Sequence, residues 1–410
     1  MLPRLLEENP LVITGMGTVC GTGVGVDCLF EKVSAGQSVA AWLDSHVAPD
    51  GVQLAACHAP EPSDSGVIRK MDRAVRLAAD AAREAMRQAG LIRGEFDARR
   101  LGVIIGSSRG PLEKWDESLR RMGEGKRLLP SSSANSALAS CSGALSLEFG
   151  ARGPCLTVSG ACASGAAAMI VGAEQILLDN ADVMLVGGTE ATLQPLIVRQ
   201  LHAAGILGFD ADPAQTCRPF DRRRNGMLLG DGAGCLVIES LSSARKRGAI
   251  PLARLRGWAM GAEAETRTGT DAGGENLRHI VRLSLGNSGL EPEAIDYLNL
   301  HGTGTRQNDQ AEATAIRSVF SDSLAHLSLS STKPITGHCL GASAALEAII
   351  CVEAIRHGIV PPTMNCDEPD PECGINVTPN ISAQRDIRVA MSLSAGFWGN
   401  QAALVIGRMK

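Results

Sequence analysis

Cys162 has the surroundings that most clearly indicate chemistry in this sequence. It lies between a predicted strand at Leu156–Val158 and an alanine-rich predicted helix at Ala161–Leu178. A thiol at a helix N-terminus has a lowered pKa, because the helix dipole and free backbone N–H groups stabilise the thiolate. The same turn can aim an N–H group at a developing oxyanion. Most cysteines are buried and inert, but the small residues on both sides of Cys162 leave room for a substrate and favour a nucleophile.

Two histidines and a lysine occupy comparable positions further along the chain. His301 directly follows the predicted strand Tyr297–Leu300, so it can reach a cleft as a base or as a hydrogen-bond donor. Lys333 and His338 lie in a loop before the predicted helix Gly341–Arg356. A lone lysine is usually a solvated charge, and a lone histidine is usually structural. The order cysteine, histidine, lysine, histidine, each in a loop rich in Gly, Ser or Thr, indicates a single catalytic site.

These residues need a large scaffold, and the composition provides one. The chain has 410 residues, of which 44% are hydrophobic, enough for two domains or two fused half-domains. Only 20% of the residues are charged and the net charge is -5, so neither a disordered chain nor a nucleic-acid-binding protein is expected. The 46 glycines and 3% aromatic residues predict many tight turns and a core of Ala, Val, Leu and Ile.

The sequence predicts a cytoplasmic protein with no membrane span. Glu7 and Glu8 precede the first apolar run at Leu11, which is unlike the basic and then hydrophobic layout of a signal peptide. No run of about 18 apolar residues occurs. The 12 cysteines include no C-x-x-C pair, so we expect reduced thiols, no metal site and no cofactor.

Strand and helix signals alternate along the chain, which predicts an α/β fold. A long amphipathic helix is predicted at Arg69–Ala89, closed by Gly90. Other predicted strands are Leu11–Ile13, Gly102–Ile105, Val183–Val186, Cys235–Glu239, Leu327–Leu329 and Ala402–Ile406. A composition shift at Ser240–Pro251 divides the chain into halves at 1–250 and 251–410. No sequence repeat is visible, so any duplication must be structural.

Several ordered motifs resemble one known family across nearly the whole chain. Besides the loops of Cys162, Lys333 and His338, the matching segments are Arg218–Asp221, Leu229–Gly234, His301–Thr303, Pro361–Thr363 and Gly396–Gly399. The sequence resembles the β-ketoacyl-acyl carrier protein synthases of the thiolase superfamily. The resemblance is strongest to the synthase II group and to the ketosynthases of type II polyketide pathways.

The resemblance implies a thiolase-like, five-layered α-β-α-β-α fold made of two similar halves, with the active site between them. It also implies a homodimer formed across a strand near the nucleophile. Cys162 would carry an acyl group, and His301 and His338 would bind a malonyl thioester, promote its decarboxylation and stabilise the enolate. Lys333 and Glu312 would fix the histidines and tune the local charge. The product would be a β-ketoacyl group on an acyl carrier protein.

The resemblance further assigns binding roles. The backbone N–H groups of Cys162 and Phe397 would form the oxyanion hole, and the Phe397 ring would gate the acyl chain. Gly396, Trp398 and Arg109 would lie in the substrate pocket. If Arg109 lines that pocket, its guanidinium must pair with an acid or face water, because an unpaired buried charge is costly. The pocket would then be polar and short, or shaped for an oxidised or unsaturated chain.

Arg69 and Lys70 match a basic patch that would dock the acidic carrier protein. The alternative is that they are ordinary solvated residues at the start of a helix. Departures from the housekeeping pattern at Gly304, Arg306 and Trp398 favour a specialised polyketide pathway over fatty-acid elongation.

Three other classes remain as alternatives. A non-catalytic chain-length-factor-like subunit would lack the nucleophile, although this chain could pair with such a homologue as a heterodimer. A dinucleotide-binding oxidoreductase would explain Gly15–Gly17 after a strand, but Cys20 replaces the third glycine of the fingerprint. A thiolase would need a second cysteine near the C-terminus, and the last one here is Cys373 in an acidic, proline-rich loop.

Overall fold

The computed structural model describes residues 1–265, 267 and 270–409. Its central feature is a pair of five-stranded half-sheets, one from each half of the chain. The first half-sheet contains β1 (Leu11–Cys20), β2 (Leu101–Gly106), β3 (Cys155–Val158), β4 (Val183–Glu190) and β5 (Gly232–Ser240). The second contains β6 (Ala253–Ala262), β7 (Tyr297–Asn299), β8 (Ser328–Ser330), β9 (Val389–Ala395) and β10 (Asn400–Gly407).

Both half-sheets have the same topology. The spatial orders are β3-β2-β4-β5-β1 and β8-β7-β9-β10-β6. In each, the first two pairs along this order are parallel and the last two are antiparallel. A short antiparallel pairing of Leu11–Ile13 with Ala253–Leu255 joins them. The expected structural duplication is therefore confirmed, although the sequence shows no repeat.

Six helices complete a five-layered arrangement. They are α1 (Arg73–Gln88), α2 (Ser140–Phe149), α3 (Ser164–Leu177), α4 (Glu275–Ser288), α5 (Arg306–Phe320) and α6 (Ser343–His357). Helices α3 and α6 pack against each other and against strands of both half-sheets, whereas α1 and α2 cover the outer face of the first and α4 and α5 that of the second. Helix α6 is buried from Ser343 to Ile355, as expected for a central helix that is apolar on nearly every face.

Smaller elements connect these layers. The remaining α-helices are Leu2–Glu8, Val26–Ser34, Leu112–Gly123, Ser132–Ser136, Pro195–Ala203, Leu241–Lys246 and Lys333–Thr336. The short strands are Gly23–Val24, Ala41–Trp42, Ala55–Cys57, Leu229–Gly230, Ile359–Val360 and Ala383–Gln384. Within the described ranges, no helix combines the length and apolar character needed to cross a membrane.

The glycines that suggested a nucleotide-binding turn have a packing role instead. Gly15 and Gly17 lie inside the continuous strand β1. A Cβ atom at either position would collide with the backbone carbonyl oxygen of Ala85 or Ala81 on α1. Glycine is therefore required for the helix to approach the strand closely, and the structure contradicts the dinucleotide-binding interpretation.

Candidate active site

Cys162 lies in a tight turn between β3 and α3. Ala161 has a positive φ of 50°, and the helix begins at Ser164, two residues beyond the cysteine. The Ser164 hydroxyl accepts a hydrogen bond from the Gly160 N–H at 2.9 Å and donates to the Ala161 carbonyl at 2.6 Å. A non-glycine residue in the left-handed region costs about 1 kcal/mol or more and persists only where its surroundings enforce it. The serine supplies that enforcement and directs Cys162 towards the second half of the chain.

The two histidines of the second half meet this cysteine. His338 Nε2 is 3.2 Å from Cys162 Sγ, and the two imidazole rings lie nearly perpendicular with centroids 5.3 Å apart. The ligand atoms of Cys162, His301 and His338 all lie within 4.8 Å of one another. His338 Nδ1 is also 2.8 Å from the hydroxyl of Ser343 at the start of α6. The structure thus brings the predicted nucleophile and both predicted histidines into one cluster.

Lys333 is buried beside His301. Its Nζ donates to the His301 carbonyl oxygen at 2.5 Å and forms an ion pair with Glu347 Oε1 at 2.5 Å. The same Nζ is 3.5 Å from His301 Nδ1. Sequence reasoning missed Glu347, although a carboxylate near the start of an apolar, small-residue helix was a usable signal, because a buried acid needs a partner.

Glu312 contacts the backbone of the His301 loop. Its two carboxylate oxygens accept hydrogen bonds from the N–H groups of His301 (2.6 Å) and Gly302 (2.8 Å). Three residues earlier on α5, Asp309 accepts from the N–H groups of Thr303 and Gly304. Two carboxylates of one helix therefore hold the loop, while the carboxylate paired with Lys333 comes from α6.

Burial sets the charge of the cluster. It raises the pKa of the Cys162 thiol to about 12, although the positive charges of Lys333 and Arg109 act in the opposite direction. The lowered pKa predicted from the helix N-terminus is therefore not found, because desolvation of a buried thiolate outweighs the favourable charges. Burial, and then the charge of Lys333, lowers the pKa of both His301 and His338 well below its ordinary value. At neutral pH the cluster consists of a thiol and two neutral imidazoles.

Two backbone N–H groups are free near the thiol. Within the described part of the chain, neither Cys162 nor Phe397 donates a backbone hydrogen bond. A Cβ atom at Gly396 would lie 2.7 Å from the Cys162 nitrogen. The absence of a side chain at Gly396 therefore keeps this N–H accessible, as an oxyanion site requires.

A cavity of about 420 Å³ opens onto the cluster and is lined by residues of both halves. Arg109, Gly396 and Phe397 lie on its wall together with apolar side chains such as Leu201 and Ile206. A cavity of this size can hold a short acyl chain or small ligand.

Trp398 lies outside this cavity, contrary to the sequence prediction. The residue has a positive φ of 62°, its side chain is 65% exposed, and its ring is 6.0 Å from the Arg267 guanidinium carbon. The left-handed backbone turns the chain between Phe397 and Gly399, so Trp398 projects to solvent.

Two models of one protein family match most of this chain. A family model described as the N-terminal domain of β-ketoacyl synthase matches residues 8–244, and one described as its C-terminal domain matches residues 252–367. The chain belongs to the β-ketoacyl synthase family. It is a condensing enzyme of the acyltransferase class, and its fold is thiolase-like.

Individual β-ketoacyl synthases match over nearly their full lengths. Nodulation protein E of Rhizobium meliloti (strain 1021) is 39% identical over 405 residues, covering 97% of this chain and 98% of that protein. The 3-oxoacyl-[acyl-carrier-protein] synthase 2 of Coxiella burnetii is 36% identical over 413 residues, covering 98% and 100%. The tetracenomycin polyketide synthase ketoacyl synthase alpha subunit of Streptomyces glaucescens is 34% identical over 417 residues, covering 98% of each.

A solved structure shares the architecture. The ishigamide ketosynthase/chain length factor superposes with a TM-score of 0.90 at 31% identity, covering 98% of this chain and 100% of that one. Another structure, a type II polyketide acyl carrier protein in complex with its ketosynthase bound to the hexaketide, also gives a TM-score of 0.90, at 28% identity and the same coverage.

Glu190 is a further buried carboxylate that sequence reasoning missed in this synthase. It ends β4 and accepts hydrogen bonds from the N–H groups of Ser108 (2.6 Å), Arg109 (3.0 Å) and Gly341 (3.2 Å), and from the Ser107 hydroxyl (3.0 Å). Glu190 thereby links the Arg109 loop of the first half to the segment before α6. An acid at the end of an otherwise apolar strand was the available signal.

The predicted docking residues lie on the surface of the first half. Arg69 and Lys70 are both exposed and precede α1, which begins at Arg73 because Asp72 caps it by accepting from the Ala74 N–H at 2.9 Å. Both side chains also line a surface groove next to this helix start. Both are therefore available to an external anion.

Cys162, His301 and His338 also have the residue types of a metal site. The Lys333 ammonium lies 3.5 Å from His301 Nδ1 and would repel a cation held there. This arrangement of charges disfavours a metal ion and favours reaction of the thiol with an organic substrate.

Proposed function

We propose that this synthase catalyses decarboxylative Claisen condensation of an acyl group held on Cys162 with malonyl-acyl carrier protein. The product is β-ketoacyl-acyl carrier protein, made in a type II polyketide or related specialised pathway in the cytoplasm. The contact between Cys162 Sγ and His338 Nε2, in a cavity shared with His301, carries the proposal. Residues 1–250 supply the nucleophile, and residues 251–410 supply the histidines and the lysine.

Acylation begins from the neutral thiol. Neutral His338, with its Nδ1 proton donated to Ser343, accepts the Cys162 proton at Nε2 as sulfur attacks the acyl thioester. The carbonyl oxygen becomes an oxyanion that the N–H groups of Cys162 and Phe397 stabilise. A new S–C bond forms on Cys162, the carrier S–C bond breaks, and the carrier thiol leaves with the proton from His338.

Condensation uses the histidines as hydrogen-bond donors. The Lys333 ammonium faces His301 Nδ1, so that nitrogen is the acceptor and the proton of His301 lies on Nε2. The Ser343 hydroxyl can also donate to His338 Nδ1, and in that tautomer the single proton of His338 lies on Nε2. The Nε2–H groups of His301 and His338 then stabilise the enolate of the malonyl thioester as its C–C bond to the carboxylate breaks and CO₂ leaves. The enolate carbon then forms a C–C bond to the acyl carbonyl and the Cys162 S–C bond breaks. The leaving thiolate takes the Nε2 proton of His338, and a proton from solvent water restores the histidine.

The surface of the first half supports assembly with a second chain. β3 is an edge strand, Cys155 on it is exposed, and Leu156 and the neighbouring Leu147 are 50% and 66% exposed. An apolar strand edge needs a cover in a stable protein. We propose that a second copy, or a chain-length-factor-like homologue, pairs along this strand, and that acyl carrier protein docks at Arg69 and Lys70.

Housekeeping fatty-acid elongation is the second candidate, favoured by the 36% identity to a synthase 2. A non-catalytic chain-length-factor-like role is less compatible with the presence of Cys162 and the histidines.

Reconstitution tests these alternatives. The enzyme is mixed with malonyl-acyl carrier protein and a panel of acyl carriers, and the intact mass of enzyme and carrier is measured. We expect an acyl adduct on Cys162 and a β-ketoacyl product on the carrier. No adduct with any acyl carrier would reject the catalytic proposal, and a strong preference for long saturated chains would favour fatty-acid elongation.

A further inference from the structure

His338 has a hydrogen-bond partner that can act in two directions. Its Nδ1 atom is 2.8 Å from the hydroxyl oxygen of Ser343, the first residue of α6. A hydroxyl group can donate or accept, and a neutral imidazole carries one proton on either nitrogen. Burial lowers the pKa of His338 well below its ordinary value, so the ring is neutral. The direction of this hydrogen bond therefore decides whether Nε2, which is 3.2 Å from Cys162 Sγ, carries the proton.

The surroundings of Ser343 favour one direction. The residue is 3% exposed, and across residues 1–265, 267 and 270–409 its hydroxyl has no hydrogen-bond partner except His338 Nδ1. If Ser343 donates, both groups are satisfied. If Nδ1 donates instead, the hydroxyl hydrogen is left without a protein acceptor, which is unfavourable for a buried donor. Donation by Ser343 is therefore favoured, and it leaves the proton of His338 on Nε2.

His301 reaches the same tautomer in a different way. The Lys333 ammonium, 3.5 Å from His301 Nδ1, can only donate, so it disfavours a proton on that nitrogen. Ser343 can rotate its hydroxyl, so the second tautomer of His338 stays accessible as a minor state. This difference matches the proposed chemistry. Both histidines donate from Nε2 during condensation, but only His338 accepts the thiol proton during acylation.

We propose that Ser343 is a positioning residue that biases His338 towards the Nε2–H tautomer and so favours condensation over acylation. This inference rests on the proposed function and assigns a role within it to a residue that acts through His338. One hydrogen bond separates the two tautomers, which corresponds to a population ratio of about ten. Condensation uses the major tautomer, and acylation uses the minor one.

The tautomer can be observed directly in the resting enzyme. The chain has 8 histidines, and two-bond ¹H–¹⁵N correlations of protein labelled with ¹⁵N-histidine show which ring nitrogen of each carries the proton. The signals of His338 are those that disappear in His338→Gln. We expect Nε2–H in the parent and a mixture of tautomers in Ser343→Ala, which cannot donate. Ser343→Thr keeps the hydroxyl and should return His338 to Nε2–H.

Rates of the two half-reactions test the functional consequence. Formation of the Cys162 adduct and of the β-ketoacyl product are measured separately. In Ser343→Ala the ratio of the acylation rate to the condensation rate should rise about tenfold, because the population moves towards the tautomer that acylation uses. Ser343→Thr should restore the parent ratio.

A second serine provides the matched control. Ser284→Ala removes another buried hydroxyl, which donates to the Val281 carbonyl within α4, and should leave both the tautomer and the rate ratio unchanged. Thermal unfolding of each variant establishes that the fold is intact.

Three outcomes would overturn the inference. The parent could hold His338 as Nδ1–H, Ser343→Ala could keep the tautomer and the rate ratio of the parent, or it could lose both rates equally with the tautomer unchanged, which would make Ser343 merely structural. Failure of Cys162 to react with any acyl carrier is a different result. It would reject the proposed function, whereas the tautomer of the resting enzyme would still report on Ser343.

Discussion

The two halves of this synthase share their topology but differ in the chemistry of equivalent loops. In the first half, the loop after the third strand carries Cys162 and leads into α3. In the second half, the loop after the third strand carries Lys333 and His338 and leads into α6. The duplicated fold therefore brings a cysteine from one half and two histidines from the other to a single cavity, as the proposed mechanism requires.

The loops after the second strands extend the comparison. In the first half this loop contains Arg109, and in the second it contains His301. A buried carboxylate accepts two consecutive backbone N–H groups in each loop: Glu190 in the first half and Glu312 in the second. The backbone anchoring is thus the same in both halves, whereas the side chain that lines the cavity differs: Arg109 in the first half and His301 in the second.

The largest effect is expected from removing the proposed nucleophile of the first half. Cys162→Ala should abolish the acyl adduct while the fold persists, because no other thiol occupies the cavity wall among the described residues. Intact mass spectrometry after exposure to acyl carriers provides the measurement. Cys28→Ala, at a partly exposed cysteine of the same half that does not line the cavity, is the matched control and should acylate like the parent. An adduct that persists in Cys162→Ala would identify a different nucleophile.

Substitution of the two histidines of the second half should affect acylation and condensation differently. His301→Ala should slow condensation by about 10²–10³-fold, the usual effect of losing one hydrogen-bond donor to a developing oxyanion, yet spare acylation. His338→Ala should slow both steps, because His338 contacts the Cys162 sulfur. Pre-steady-state adduct formation and steady-state product formation measure the two steps. Equal losses of acylation in the two variants would contradict this division.

The charge of Lys333 should set the pH below which the condensation rate falls, that is, the acid limb of the pH–rate profile. Its charge lowers the pKa of both histidines, so the Lys333→Met variant should protonate them at a higher pH and lose activity earlier as the pH falls from 8 to 5. Glu347→Gln keeps the charge of Lys333 and is the control. The acid limb of its pH–rate profile should not shift to higher pH. The double variant Lys333→Met/Glu347→Gln removes both members of the ion pair, so that no buried Glu347 carboxylate is left without its partner. An unchanged limb in Lys333→Met would mean that its charge does not act on the histidines.

How far the sequence predicts this architecture depends on whether a feature is local. Loops with Gly and Ser beside an apolar strand identified the surroundings of Cys162 and His301 from the residues alone. The helix that ends at His357 was predicted, but strands β9 and β6 were not. β9 is buried along its whole length and lacks the alternation that marks a half-exposed strand. β6 does alternate over Ala253–Arg256, so a usable signal was missed there. The repeated strand order is a tertiary property that no sequence repeat records.

The carboxylates of the site were harder to predict for a related reason. Glu190 and Glu347 are far in sequence from the groups they contact, at separations of 82 residues to Ser108 and 14 to Lys333. The thiol pKa was predicted in the wrong direction, because desolvation depends on tertiary burial that a helix signal cannot report. Trp398 was misplaced since its left-handed φ is not encoded by any local preference of tryptophan.

Glutamine substitutions compare the two carboxylate anchors directly. Glu312→Gln and Glu190→Gln each leave one backbone N–H facing an amide group, so each should lower the free energy of unfolding by about 1–3 kcal/mol. Glu312→Gln should reduce condensation through His301, and Glu190→Gln should change primer selection through Arg109. Urea unfolding and the two half-reaction assays measure these effects. Identical activity profiles would remove the functional difference between the anchors.

The same pair gives a pH test of stability. Burial raises the pKa of Glu190 and of Glu312 to about 7. A raised carboxyl pKa adds stability that is complete below the ordinary carboxyl pKa and is lost as the pH rises towards 7. The parent should therefore lose more stability between pH 5 and 7 than either glutamine variant does. A parallel pH dependence in parent and variants would show that these carboxylates stay ionised.

The smallest effect is expected at the surface of the first half, where Arg69 and Lys70 would meet the carrier protein. Reversing both to Glu should raise the KM for acyl-carrier substrates several-fold and flatten its salt dependence, because long-range attraction to an acidic partner is screened by salt. Arg245 and Lys246, an exposed basic pair at the end of another helix in the same half, provide the matched double reversal. Their variant should keep the parent KM. Since neither pair lines the cavity, kcat should stay constant in both. An unchanged KM at low salt for the Arg69 and Lys70 reversal would exclude these residues from the docking surface.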